Sequence, residues 1–321
     1  MGNIVSKQRQ SLPQWLRRVQ TTESGTTSNM AQRRGSRISM LQVAQLLLRG
    51  FLVAFVFLCP ALLLPEISQD VAQGVTFLAI LAAIVVMTEY SAAYPGLIEF
   101  RDAKPYNRAR FLLLCVVVLS VTALQREIAL YSGAAGIFTS LAVMLGNVLN
   151  FSFSPVSLLV ASLPQGVSVE HLAIVKVSAA LAYTLSLVGL GGFLIGLMLG
   201  YWPRRAEIFN VWVNLPNFDP TKGVDIVQRL ERDAQINVVL GIIMPFSLPA
   251  LLHLSTFLVQ PVTLETPLAL VWGVSLWAFI PVTLVMRGVA MYRVAQLIRA
   301  QRRRVAEALD AVPLPPQSVY S

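Results

Sequence analysis

Three ionisable side chains stand inside otherwise uncharged apolar blocks: Glu89, Lys176 and His253. An ionised group in hydrocarbon costs several kcal/mol unless it is paired or hydrated, so each is a candidate for handling protons or solutes. Glu89 and Lys176 lie about one turn from the ends of their blocks, within reach of an interface through their apolar stems. His253 is deeper, in the run from Pro245 to His253, where Pro245 and Pro249 free carbonyls for a substrate, a water or a neighbouring helix. That helix break is one candidate stretch of a solute pathway.

Two polar segments carry charges of both signs. Between Tyr94 and Arg108, the residues Glu99, Arg101, Asp102, Lys104 and Arg108 are mixed with aromatics and with Pro95 and Pro105, a composition that suits an ordered, specific loop. Further on, Asp225 and Gln228 suit a capping box. There Asp225/Arg229 and Arg229/Asp233 stand at i,i+4, and Ile226, Leu230 and Ala234 form an apolar strip. The resulting helix can dock on the first loop, which adds Arg229 and Asp233 to the same candidate interaction surface.

Gly192, Gly196 and Gly200 are spaced four apart, with Ser178, Ala182 and Ser186 continuing the spacing. Small residues one turn apart make a groove in which a second helix backbone can lie close, held by dispersion. Its occupant is one of the protein's own helices or a separate subunit. Recognisable catalytic patterns are missing: there is no His-Glu-x-x-His, Cys-x-x-Cys, P-loop or Gly-x-Ser-x-Gly. His171 and His253 are the only histidines, and Cys59 and Cys115 both lie in apolar blocks, so no metal, cofactor or catalytic set is expected and the chain does not read as an enzyme.

The elements that must hold these residues are membrane helices. Of 321 residues 55% are apolar and 13% charged, with a mean hydropathy of +0.66, against about 25% charged in a soluble domain. The apolar runs are continuous and not alternating, which excludes a barrel and predicts an all-α polytopic protein. They fall at about 41–64, 71–93, 111–124, 128–163, 172–200, 236–259 and 267–286, and a crossing needs about 20 residues.

Lys and Arg set the orientation. Residues 1–40 form a flexible basic tail, the loops 94–110 and 201–235 are basic, and residues 293–321 form a basic amphipathic helix and tail. With both termini cytoplasmic, 23 of the 25 bases lie inside and only Arg126 and Lys176 outside. This requires an odd number of crossings between Arg110 and Glu170. The favoured solution is six transmembrane helices plus an outer-face re-entrant hairpin at 128–163, within a membrane domain 41–292; eight transmembrane helices is the alternative. The Ser and Pro content of 150–169 favours the hairpin. Four Lys against 21 Arg point to GC-rich coding and hence to a bacterial inner membrane.

These features predict a non-catalytic membrane protein that binds or organises partner proteins or lipids. Its expected partners are anionic lipid at the cytoplasmic face and a membrane protein or a second copy of the chain, with no nucleic acid. A small-solute transporter or channel, with its pathway near the hairpin and the Pro245/Pro249 break, is the alternative.

Overall fold

A computed structural model describes residues 40–65, 67–101, 104–131, 136–164, 166–202, 214–215, 225–255 and 264–310. Residues 1–39 of the basic tail, Asp102, most of the loop 201–235 and residues 311–321 lie outside the described residues, as does the side chain of Lys104. Contacts group the chain into Met1–Arg49 and Gly50–Ser321. Of the first group, Met40–Arg49 are described, as helix.

The described elements are helices: α1 (Met40–Leu63), α2 (Gln69–Ser91), α3 (Lys104–Leu130), α4 (Ile137–Val148), α5 (Pro155–Ala161), α6 (Val169–Met198), α7 (Ile226–Ser255) and α8 (Pro267–Asp310). Six of them, α1, α2, α3, α6, α7 and α8, are long and apolar enough to cross a bilayer. The other two are too short: 12 residues of α4 and seven of α5 reach about 18 Å and 10 Å, against a hydrocarbon core of ~30 Å. Two further full crossings would need long helices that these residues do not form.

Local chemistry fixes the helix ends. Ser68, Ser154 and Ser168 are N-caps whose hydroxyls accept from Val71 N–H (3.4 Å), Ser157 N–H (2.9 Å) and His171 N–H (3.2 Å), and Pro155 occupies the first position of α5. α6 stops at Gly200, whose φ of +75° is a left-handed conformation favouring glycine. There Tyr201 N–H bonds the carbonyl of Gly196 and Gly200 N–H that of Leu197, both at 3.1 Å, a Schellman termination. Gly200 therefore ends the helix and is not a step of the packing groove.

The chain's connections gather at two ends. At one, here the basic end, the loop after α2 meets the end of α6, the start of α7 and the basic stretch of α8: Phe100 packs on Trp202, Glu99 pairs with Arg287, and Arg302 with Asp225. At the far end Arg126 donates to the Leu63 carbonyl, and α1, α3, α6 and α8 converge. Between them α3, α6 and α8 form the core through Val117, Val121, Ala179, Ala182, Val274 and Ala278. α2 buries Ala79 and leaves Phe77, Ile80 and Ile84 exposed, as a lipid-facing helix should.

α4 packs on α3 and α6 near the far end. Ala142 joins Leu124 and Leu181, and a Cβ at Gly146 would meet Val177 at 3.3 Å. The start of α4 is held by Glu127, whose carboxylate accepts from Thr139 N–H (2.8 Å), Thr139 Oγ1 (3.0 Å) and Phe138 N–H (3.4 Å), a negative charge on a helix N-terminus.

The tightest helix seam joins α7 to α8. A Cβ at Gly241 would lie 2.6 Å from the Pro281 carbonyl, and one at Gly288 would lie 2.6 Å from the Ala234 carbonyl, so backbone meets backbone in both directions. Pro245 and Pro249 do not break α7, which runs helical through both to Ser255. Membrane helices tolerate proline where neighbouring groups satisfy the freed carbonyls. α8 likewise runs unbroken for 44 residues and continues past the apolar block, with Met291, Val294 and Ala295 buried, so the basic helix expected from 293 is the extension of the last long helix. Arg299 and Arg302 on this extension pair with Glu231 and Asp225 at the start of α7, each at 2.7 Å.

Candidate functional site

The loop after α2 is shaped by carboxylates. Glu89 is tied to the loop that follows it: its Oε2 accepts the backbone N–H groups of Gly96 (2.9 Å), Leu97 (2.8 Å) and Ile98 (3.1 Å). Three converging donors satisfy the charge within the protein. Arg101 donates to the Ala92 carbonyl from the other side of the loop, and Asn107 on α3 donates to the carbonyls of Glu99 (2.9 Å) and Phe100 (3.0 Å). Phe100, with φ +53°, is fully buried and donates its N–H to the Asn214 carbonyl at 2.6 Å.

That anchoring aims Glu99 at α8. Arg287 Nε approaches Glu99 Oε2 at 2.5 Å and Nη2 approaches Oε1 at 2.8 Å, a two-point guanidinium–carboxylate fork with 28% and 10% of the two side chains exposed. Such a fork specifies geometry as well as charge. Around it lies an aromatic wall. Phe100 and Tyr106 ring centroids are 4.5 Å apart, and Tyr106 contacts Phe193 at 6.0 Å and Trp202 at 6.3 Å. One turn along α3, Arg110 sits 5.6 Å from the Tyr106 ring centroid.

The mixed-charge loop is thus tied to α8 through Glu99 and Arg287. Asp233 on α7 lies near enough to Arg287 to bring a second negative charge to the pair. Asp233 receives Asn237 Nδ2 on its backbone carbonyl, and the acids that bridge α7 to α8 are Asp225 and Glu231. The Arg302 hydrogen bond holds the Asp225 carboxyl below the usual aspartate range. Arg108 is exposed on α3. Lys176 is half-buried in the second turn of α6, and His253 is exposed near the end of α7; the structure does not bring either to Glu89.

The glycines of α6 differ in what they face. A Cβ at Gly189 would meet Leu113 at 2.5 Å, whereas at Gly192 and Gly196 nothing lies within 4 Å. The two glycines face a cavity of about 460 Å³ between α3 and α6, lined by Leu112, Val116, Phe193, Tyr201 and Trp202. Among the described residues no helix of the protein occupies it. The same Phe193 and Trp202 that wall the cavity back onto Tyr106, so the groove and the Glu99–Arg287 cluster share a partition.

A second cavity, of about 190 Å³, opens at the far end between Gln125, His171, Glu265 and the apolar Leu64, Ile174 and Leu270. Gln125 is buried and donates to Ser178 Oγ at 2.8 Å. Neither Pro245 nor Pro249 lines it.

Comparisons with known proteins return no family model that matches the chain, no similar curated protein and no similar solved structure.

Proposed function

We propose that the protein is a non-catalytic integral membrane protein that holds a membrane partner, a protein helix or a lipid, in the groove between α3 and α6. The observation that carries this reading is the open space at Gly192 and Gly196: two glycines one turn apart in a crossing helix, facing a cavity with no apolar side chain of their own to fill it. A cavity of this kind is a standing loss of dispersion contact until something occupies it. The anchored loop at Glu99 and Phe100 supports the reading, because it fixes Trp202 and Tyr106 as a rigid end wall for the occupant.

The test is occupancy. Gly192→Leu and Gly196→Leu should fill the groove with little change in the stability of the isolated chain, and should abolish a partner or lipid that co-purifies in mild detergent at fixed stoichiometry. Undiminished co-purification with both variants rejects the groove as the binding surface.

The orientation that accompanies this reading is an inner-membrane one with both termini cytoplasmic and the α4–α5 segment entering from the outer face. A tag near Thr26 and a reporter at Ser321 should be cytoplasmic and a tag near Val262 external. Cysteines at Asn147 and Asn150, in a background without Cys59 and Cys115, should resist an impermeant thiol reagent applied from the cytoplasm. A solute-translocating role finds its support in the far-end crevice at Gln125, His171 and Glu265. Flux of a solute through the purified, reconstituted protein would favour it over the binding role.

A further inference from the structure

Inside the basic end, two neighbouring side chains on α3 each keep a buried polar atom that meets no well-aligned hydrogen-bond partner. Tyr106 is fully buried, and its hydroxyl has no hydrogen-bond partner; Arg110, one turn further along α3, has a buried Nε that is likewise without one. The guanidinium stands 5.6 Å from the Tyr106 ring centroid, so both belong to one small region. Each unmet buried donor carries a desolvation cost, larger for a charged group. Both occur within the crossing stretch of α3, whose bounds are Pro105–Leu130.

The described carboxylates there, Glu99 and Asp233, act on Arg287. Arg287 is taken by the Glu99 fork, and among the described residues no carboxylate pairs with Arg110. An intramembrane arginine usually has a counter-charge. What fits is an acceptor that carries negative charge and offers more than one oxygen, since it must receive a phenol O–H and a planar guanidinium together. Arg110 as a whole is half-buried, while its Nε is sealed from solvent.

We propose that Tyr106 and Arg110 form a binding site for one phosphate-type oxyanion, the phosphate being that of an anionic lipid headgroup or of a free ion. Tyr106 Oη donates one hydrogen bond and the Arg110 guanidinium supplies the compensating charge. The Phe100, Phe193 and Trp202 rings hold the phenol in place. Arg287 remains with Glu99 and adds positive potential at short range. The site stands on its own donors and does not require the α3–α6 groove to be occupied.

The experiment measures thermal unfolding of the delipidated full chain in a neutral detergent, in two arms. One titrates inorganic phosphate against chloride at constant ionic strength; the other adds phosphatidylglycerol against phosphatidylcholine. A ligand that binds the folded state raises the unfolding temperature with concentration. A rise with phosphate assigns a free oxyanion, and a rise with phosphatidylglycerol alone assigns the headgroup. Tyr106→Phe keeps the ring and removes the donor, and Arg110→Gln removes the charge; each should weaken the apparent affinity about tenfold or more. Arg303→Gln, at an exposed position on the same end, should leave it unchanged. No rise in either arm for the native chain overturns the proposal. It is equally overturned if Tyr106→Phe and Arg110→Gln respond like the native protein, or if Arg303→Gln loses as much as they do.

Discussion

Glycine serves opposite ends in two parts of this molecule. Along the α7–α8 seam, Gly241 and Gly288 are each the only residue that fits, because a methyl group at either would be 2.6 Å from the facing backbone carbonyl. In the α3–α6 groove, Gly192 and Gly196 face open space, and a side chain there meets nothing. The seam glycines permit a contact that exists; the groove glycines leave room for one that this chain does not make with itself. A glycine spacing read from sequence therefore marks where a backbone can be approached, and only the neighbouring helix decides whether it is.

The comparison breaks most easily at the seam. Gly288→Leu and Gly241→Leu should cost at least about 3 kcal/mol or prevent folding, since overpacking against backbone has no flexible neighbour to absorb it. Gly192→Leu should move the unfolding midpoint by less than about 1 kcal/mol. Equal losses at the two places, measured by thermal unfolding in detergent, would erase the distinction.

Next in size is the Glu99–Arg287 fork, which ties the loop to α8 beside the seam. Glu99→Gln leaves a guanidinium without its carboxylate; with the arginine side chain 28% exposed, the loss should be about 2 kcal/mol, below the 3–5 typical of a sealed pair. Glu99→Gln combined with Arg287→Met should recover part of that loss. A double variant no better than the sum of the singles would show that the pair is not coupled.

The smallest effect belongs to the exposed clasp between Asp225 and Arg302. The Asp225 carboxyl is held below its ordinary value by the Arg302 hydrogen bond. Its contribution is therefore present above the unfolded aspartate pKa of about 3.9 and is lost as pH falls through the lower folded value. Comparing unfolding of the native chain and Asp225→Asn from pH 7 to pH 3 should show a slight native advantage that closes toward pH 3 and shrinks in high salt. An advantage that grows on acidification would reverse the assignment.

The six long helices were legible because an apolar run matched to bilayer thickness is a length signal that needs no tertiary information. The segment 128–163 was not, since its block is long enough for more than one arrangement; what shortens its helices is local, namely Gly136 against Glu127, whose carboxylate a Cβ would approach to 2.3 Å, and the Ser154–Pro155 start. The continuity of α8 could have been read: from Val282 to Asp310 the only residue disfavouring helix strongly is Gly288. The charge change at Arg287 suggested a boundary where the backbone has none. The loop's mixed charge announced an ordered element, but no local pattern pairs Glu99 with a residue 188 positions away. The seam had a faint signal, small residues seven apart at Ala234/Gly241 and Pro281/Gly288, less conspicuous than the four-residue spacing of the unfilled groove.

The unbroken course of α8 has a mechanical meaning. Its 44 residues measure about 66 Å, roughly twice the hydrocarbon thickness. Leu270 at its start lines the far-end crevice, Gly288 near its middle is pressed against α7, and Arg302 is clasped to Asp225 near its end. Such a rod, gripped near its midpoint, behaves as a lever: a tilt of about 5° about Gly288 would carry Asp310, about 33 Å along the axis, through about 3 Å.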